Sequence, residues 1–171
     1  AAFRARIAED LKVQLAQNSD FRFLADVRKL AEEKAGEVQY ADDIMKQIML
    51  ANNKDKGEEY VNQHYEASIK ELTWTLLKNK LAAAYDVKVE EDDVKVAAKE
   101  MAKMQFAQYG MTNVPDEYLD NYVEDILKKR ENIDNLVERA VDVKLGAAIK
   151  AAVKLDEKNV TIEEFNKLME A

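Results

Sequence analysis

The chain has 171 residues, with 34 acidic and 26 basic side chains, a formal net charge of −8, one proline, four glycines and no cysteine. So few turn formers exclude an all-β chain of this length, and the acidic balance opposes docking on nucleic acid or anionic lipid. The lack of thiols removes disulfides, thiolate metal sites and cysteine nucleophiles together, and fits a reducing compartment.

Ala, Leu, Glu and Lys dominate, which predicts an all-helical chain. No apolar run approaches the roughly 20 residues of a membrane span. The chain opens inside a helical pattern, Phe3-Arg4-Ala5-Arg6-Ile7, and shows no signal peptide, so it reads as a fragment of a longer protein. The first helix is expected over about Phe3 to Lys34, with Ile7, Leu11, Leu15, Leu24, Val27 and Leu30 at helical spacing. The polar stretch Gln17-Asn18-Ser19-Asp20 is a candidate break or bend, and Gly36 a candidate C-cap.

A second helix, about Ala41 to Leu50, carries Ile44, Met45, Ile48 and Met49 as one apolar stripe, and residues 52–57 read as a loop. The third helix, about Glu58 to Tyr85, places Val61, Tyr65, Ile69, Leu72 and Leu76 on its expected buried face, with Trp74 packed. At 1.5 Å rise it measures roughly 42 Å, long enough to project beyond a compact body.

The fourth helix opens at Glu90-Glu91-Asp92-Asp93-Val94 and runs to about Tyr109, with Val94, Ala97, Met101 and Met104 on one side. Residues 110–115 form a turn, and Pro115-Asp116-Glu117 suits a new helix start. The fifth helix carries Tyr118, Leu119, Tyr122 and Ile126. It either runs on or breaks near Arg130 into a segment with Ile133, Leu136, Val137, Ala140, Val141, Leu145, Ala148 and Ile149. After a loop over 155–159, Thr161 and Glu164 form a capping box, stapled by Val160 on Phe165, for a last short helix.

Little here carries chemistry. His64, the single histidine, has no HExxH neighbour, and Val61 stands where a Glu-x-x-His metal motif needs a glutamate. The pairs Asp42-Asp43, Glu58-Glu59 and Glu163-Glu164 and the run Glu90 to Asp93 all sit at helix starts, where the helix dipole accounts for them. None has EF-hand spacing, Lys128-Lys129-Arg130 reads as a solvated helix end, and there is no phosphate loop or GxSxG. No catalytic residue, metal site or cofactor is expected.

What remains is apolar surface. Methionine adapts to irregular partners, and tyrosine contacts apolar groups while its hydroxyl stays wet. Met111 stands out because it falls in a turn, flanked by Tyr109, Tyr118 and Tyr122. These four, with Met45 and Met49 on the second helix, are the candidate polypeptide-binding residues.

The order of elements resembles the C-terminal domain of bacterial trigger factor. The resemblance is carried by Leu81-Ala82-Ala83-Ala84-Tyr85-Asp86-Val87-Lys88-Val89, the helix opening Glu90-Glu91-Asp92-Asp93-Val94, Tyr118-Leu119-Asp120-Asn121-Tyr122, Asn135 to Val141, and Val160-Thr161-Ile162-Glu163-Glu164-Phe165-Asn166-Lys167-Leu168-Met169. It covers nearly the whole chain. Val38-Gln39 departs from the Val-Pro that the family often has before its second helix.

The resemblance implies a single helical chaperone domain over 1–171, with an elongated multi-helix body and projecting arms. Their cradle would bind unfolded or nascent polypeptides in the cytoplasm without ATP. It also allows a homodimer through the cradle. The family's ribosome-docking and prolyl isomerase domains have no counterpart in this chain, so ribosome association would run through a missing N-terminal domain. The alternative from another class is a helical adaptor with one defined protein partner.

Overall fold

The computed structural model describes residues 2–111 and 114–170. Among them are seven helices and no strand: α1 (Ala2–Ala35), α2 (Asp42–Asn52), α3 (Gly57–Ala84), α4 (Glu91–Gln108), α5 (Asp116–Leu127), α6 (Arg130–Ala152) and α7 (Ile162–Glu170). The chain is all-α, and it divides into two compact units, Ala1–Leu81 and Ala82–Ala171.

In the first unit α1 is continuous through Gln17-Asn18-Ser19-Asp20. The candidate break does not occur, although every described side chain from 4 to 20 is exposed. Polar residues on a helix surrounded by water displace no packing, and neither proline nor glycine interrupts the backbone. The same exposure extends to Ile7, Leu11 and Leu15, whose helical spacing marks no packed face here.

The second half of α1 is tied to α3 by Arg28. Its guanidinium makes two hydrogen bonds to Glu71, of 2.7 and 3.2 Å, a third of 2.8 Å to Glu32, and lies 5.7 Å from the Trp74 ring centre. This forked geometry holds the Glu71 carboxyl below its usual range. On another face of α3, the Tyr65 hydroxyl donates to Asp42 at 2.5 Å, and Tyr40 and Thr73 hydroxyls meet at 2.9 Å. Partial burial, then the bond to Asp42, push the Tyr65 phenol up to about 12, so it remains a neutral donor.

The buried residues of α3 are Val61, Trp74 and Lys78. Trp74 lies thirteen residues beyond Val61, about 220° around the helix at 100° per residue. Two faces are therefore used in place of the single expected stripe. Leu76, expected inside, lies on the Val61 side of the helix yet is exposed, whereas Trp74 is packed as expected.

The second unit is built differently. Ala98 and Ala102 of α4, Leu119, Val123 and Ile126 of α5 and Leu136 of α6 form one buried cluster. The α5 residues fall at i, i+4 and i+7, so one helical stripe supplies the whole contact. Ala140, Leu145 and Ile149 extend burial along α6. Met104, expected on the packed side of α4, is 45% exposed. The contact is centred on the two alanines instead, because their methyl groups allow neighbouring backbones to approach.

The pattern from Tyr118 to Ile149 does break, as one of the two sequence readings had it. Lys129 adopts an extended conformation between α5 and α6, and the Asn132 side chain donates to the Ile126 carbonyl at 3.2 Å. Asp93 anchors the start of α4: its carboxylate accepts from Lys144 of α6 at 2.6 Å and from the Glu90 N–H at 2.7 Å. The capping box at α7 forms, with the Thr161 N–H 2.8 Å from the Glu164 carboxylate and the Glu164 N–H 3.3 Å from the Thr161 hydroxyl.

Leu136→Ala should destabilise the second unit by about 2–5 kcal/mol in urea denaturation, while Val143→Ala, at an exposed site on the same helix, should stay within about 0.5 kcal/mol. Equal effects would misplace the core. A second expectation concerns acid. Lys144, then the Glu90 N–H, hold the Asp93 carboxyl below its usual range. A carboxyl depressed by folding stabilises above its unfolded pKa, near 4, and loses that contribution as pH falls through the lower folded value. The urea midpoint should therefore decline as pH drops from about 5 to about 3, and Asp93→Asn should lower the midpoint at neutral pH and flatten the decline. Parallel declines in the two proteins would show that the ion pair contributes nothing.

Candidate functional site

The turn after α4 is set by backbone chemistry before any side chain matters. Gly110 has φ +78°, the left-handed region that glycine enters without a Cβ clash. Its N–H donates to the Ala107 carbonyl at 2.9 Å, and the Met111 N–H donates to the Phe106 carbonyl at 3.0 Å. This pair of bonds is a Schellman closure, which usually brings the side chains at the Phe106 and Met111 positions together. The turn at the end of α3 closes the same way, with Asp86 at φ 49° in the glycine position and Val87 bonded to the Ala82 carbonyl at 2.8 Å. Met111 therefore sits in a turn because the closure favours an apolar residue there.

Pro115 begins the return. Its φ of −56° suits a helix start, and its carbonyl accepts from Tyr118 and Leu119. Lys99 of α4 then ties the two helices, 3.0 Å from Asp116 and 2.9 Å from Asp120. Both carboxylates hold its ammonium above the usual lysine range.

Between α4 and α5 lies an open groove of about 670 Å³, lined by Phe106, Met111, Val114, Tyr118 and Tyr122, with Asn121 and Asp125 among its polar neighbours. Phe106 and Tyr122 meet with ring centres 5.2 Å apart, and the Tyr122 hydroxyl donates to Gln105 at 2.7 Å. Residues 112 and 113, within the expected turn, lie outside the described residues.

Four of the six candidate residues fall at this end of the unit. Tyr109 is 79% exposed, Tyr118 66% and Met111 49%. Tyr122 is half-buried and serves as a wall, its hydroxyl already engaged. Met45 and Met49 belong to the other unit and are half-buried, while Ile44 and Ile48 of the same stripe are exposed. Met49 borders a second open groove, of about 480 Å³, with Asn52, Asn53, Tyr60 and His64.

Phe106 and Val114 were not singled out from sequence, yet they line the groove. The spacing of Phe106 to Gly110 and Met111 was the available signal, since a Schellman closure pairs those positions.

His64 is exposed, stacked on Tyr60 with ring centres 4.0 Å apart, and its Nδ1 donates to the Tyr60 carbonyl at 2.8 Å. Among the described residues no three His, Asp or Glu side chains are grouped to hold a metal ion. The acidic pairs at α2, α3 and α7, and Glu91 to Asp93 at α4, occupy first helical turns, where they complement the helix dipole. No helix among the described residues is long and apolar enough to cross a membrane.

A family model described as the probable trigger factor C-terminal domain matches residues 19–169. Neither a curated protein nor a solved structure gives a significant match.

A Cβ at Gly110 would meet no heavy atom within 4 Å. Gly110→Ala should therefore cost only the left-handed backbone penalty, about 1–2 kcal/mol. Its signature is faster amide exchange at 110 and 111. Unchanged protection there would mean that the left-handed cap does not hold the turn.

Proposed function

Since this chain belongs to the trigger factor C-terminal domain family, a chaperone-type family, we propose that it captures unfolded or nascent polypeptides without ATP, using the α4–α5 end as a contact surface. The observation that carries the reading is the cluster of Tyr109, Met111 and Tyr118, exposed beside an open apolar groove. Contiguous apolar surface of this kind marks interaction sites. Met45 and Met49 would add a second contact in the other unit. The chain then acts as one chaperone domain in the cytoplasm, with no catalytic step and no cofactor. Ribosome docking and prolyl isomerisation belong to other domains of the family.

The physics favours weak capture. Each apolar side chain buried against a client contributes on the order of 1–3 kcal/mol. Ordering a flexible client opposes much of that sum. A client held by a few such contacts leaves spontaneously, so no hydrolysis is needed for release. Tyrosine and methionine suit varied clients, because one keeps a wet hydroxyl and the other reshapes its contact.

The test is suppression of aggregation of several unrelated denatured proteins at near-equimolar ratios without nucleotide. The parent should suppress all of them, and the triple substitution Tyr109→Ser, Met111→Ser, Tyr118→Ser should weaken client affinity by roughly tenfold or more. All three sites are exposed, so circular dichroism should be unchanged. Binding of a single folded partner, with no effect on any unfolded client, would favour the adaptor reading.

A further inference from the structure

Capture by this groove, if it proceeds as proposed above, depends on a chemically vulnerable atom. We infer that Met111 is an oxidation site that regulates the groove: its exposed thioether, set beside Phe106 by the Schellman closure, is converted by peroxide to a sulfoxide that weakens polypeptide capture.

Three observations converge on this residue. The chain has no cysteine, so no thiol of its own competes for oxidant. Among the methionines, Met45, Met49 and Met101 are half-buried, while Met111 at 49%, Met104 at 45% and Met169 at 39% are exposed. Of these three only Met111 lines the α4–α5 groove.

The backbone fixes it there. Its N–H is held by the Phe106 carbonyl at 3.0 Å, so its Cα stays at the rim as long as the end of α4 is closed. Oxidation therefore places a strong dipole in the lining of an apolar groove.

The chemistry balances with peroxide as the only co-reactant. The thioether sulfur attacks one peroxide oxygen, the O–O bond breaks, an S–O bond forms, and water leaves carrying both peroxide protons. Sulfur loses two electrons and peroxide gains them. The product is polar and chiral where the reactant was flexible and apolar, and methionine sulfoxide reductases reverse it. A chaperone carrying such a residue would release clients under peroxide and recover afterwards.

The experiment treats the whole chain with hydrogen peroxide, maps the oxidised residues by mass spectrometry, and measures binding of a denatured client. Each protein is scored against its own untreated form. The parent should lose roughly three- to tenfold in affinity, in step with modification of Met111, and a mixture of the two sulfoxide reductases should restore it. The oxidised-to-untreated ratio should stay near one in Met111→Leu. Met104→Leu should lose as much as the parent.

A parent that binds clients equally well when oxidised overturns this inference alone. So does a Met111→Leu protein that loses affinity like the parent, or a loss that precedes modification of Met111. An untreated parent that binds no client overturns both this inference and the capture reading.

Discussion

Ala98 and Ala102 present only methyl groups to α5 and α6, and the second unit is organised around that contact. Leu119, Val123, Ile126 and Leu136 fill the space the two small residues leave. A larger side chain at either alanine would push the helices apart and strand the leucines against a void or a clash. The groove depends on the same contact, because its walls are the ends of α4 and α5. Phe106 and Tyr122 lie at the edge of the cluster, partly buried and partly lining the groove. Core and surface site are thus one continuous apolar body, closed at one end by packing and left open at the other.

The first unit is held by different forces. α2 has no buried residue, and fully buried positions on α3 are few. Forked and charge-assisted bonds from Arg28 and the hydroxyl contacts of Tyr40 and Tyr65 do the joining. Polar links with partial exposure contribute modestly, since water competes for each partner. Such a unit opens locally at lower cost than one with a closed apolar core. For the capture of varied clients proposed above this is physically suitable. It also explains how so many leucines and isoleucines of α1 and α2 remain in water.

The α4–α5 end combines fixed and adaptable parts. Hydrogen bonds at Gly110 and Met111 and the Lys99 bridges to Asp116 and Asp120 hold the backbone. Tyr109, Met111 and Tyr118 project from it into solvent. A fixed frame lowers the ordering cost on the protein's side of an encounter, and exposed tyrosine and methionine suit the varied clients of the proposed capture. The weak, broad capture proposed above would draw on both.

The sequence by itself determined the helices. Their order, their approximate ends, the acidic first turns, the capping box at Thr161 and Glu164 and the turn at Gly110 follow from periodicity and from local backbone rules, which act within a few residues. The family was legible for the same reason, since its signature is an order of local elements. Tertiary structure alone decided which faces are covered. Leu76 and Met104 have the right spacing to be buried, yet both are exposed; α4 packs through its alanines instead of Met104, and no neighbour covers Leu76 at its place along α3. Ile7, Leu11 and Leu15 follow a helical stripe that no other helix covers among the described residues. Periodicity records which side of a helix is apolar; only the neighbours that pack against it, distant in sequence, decide whether that side meets protein or water.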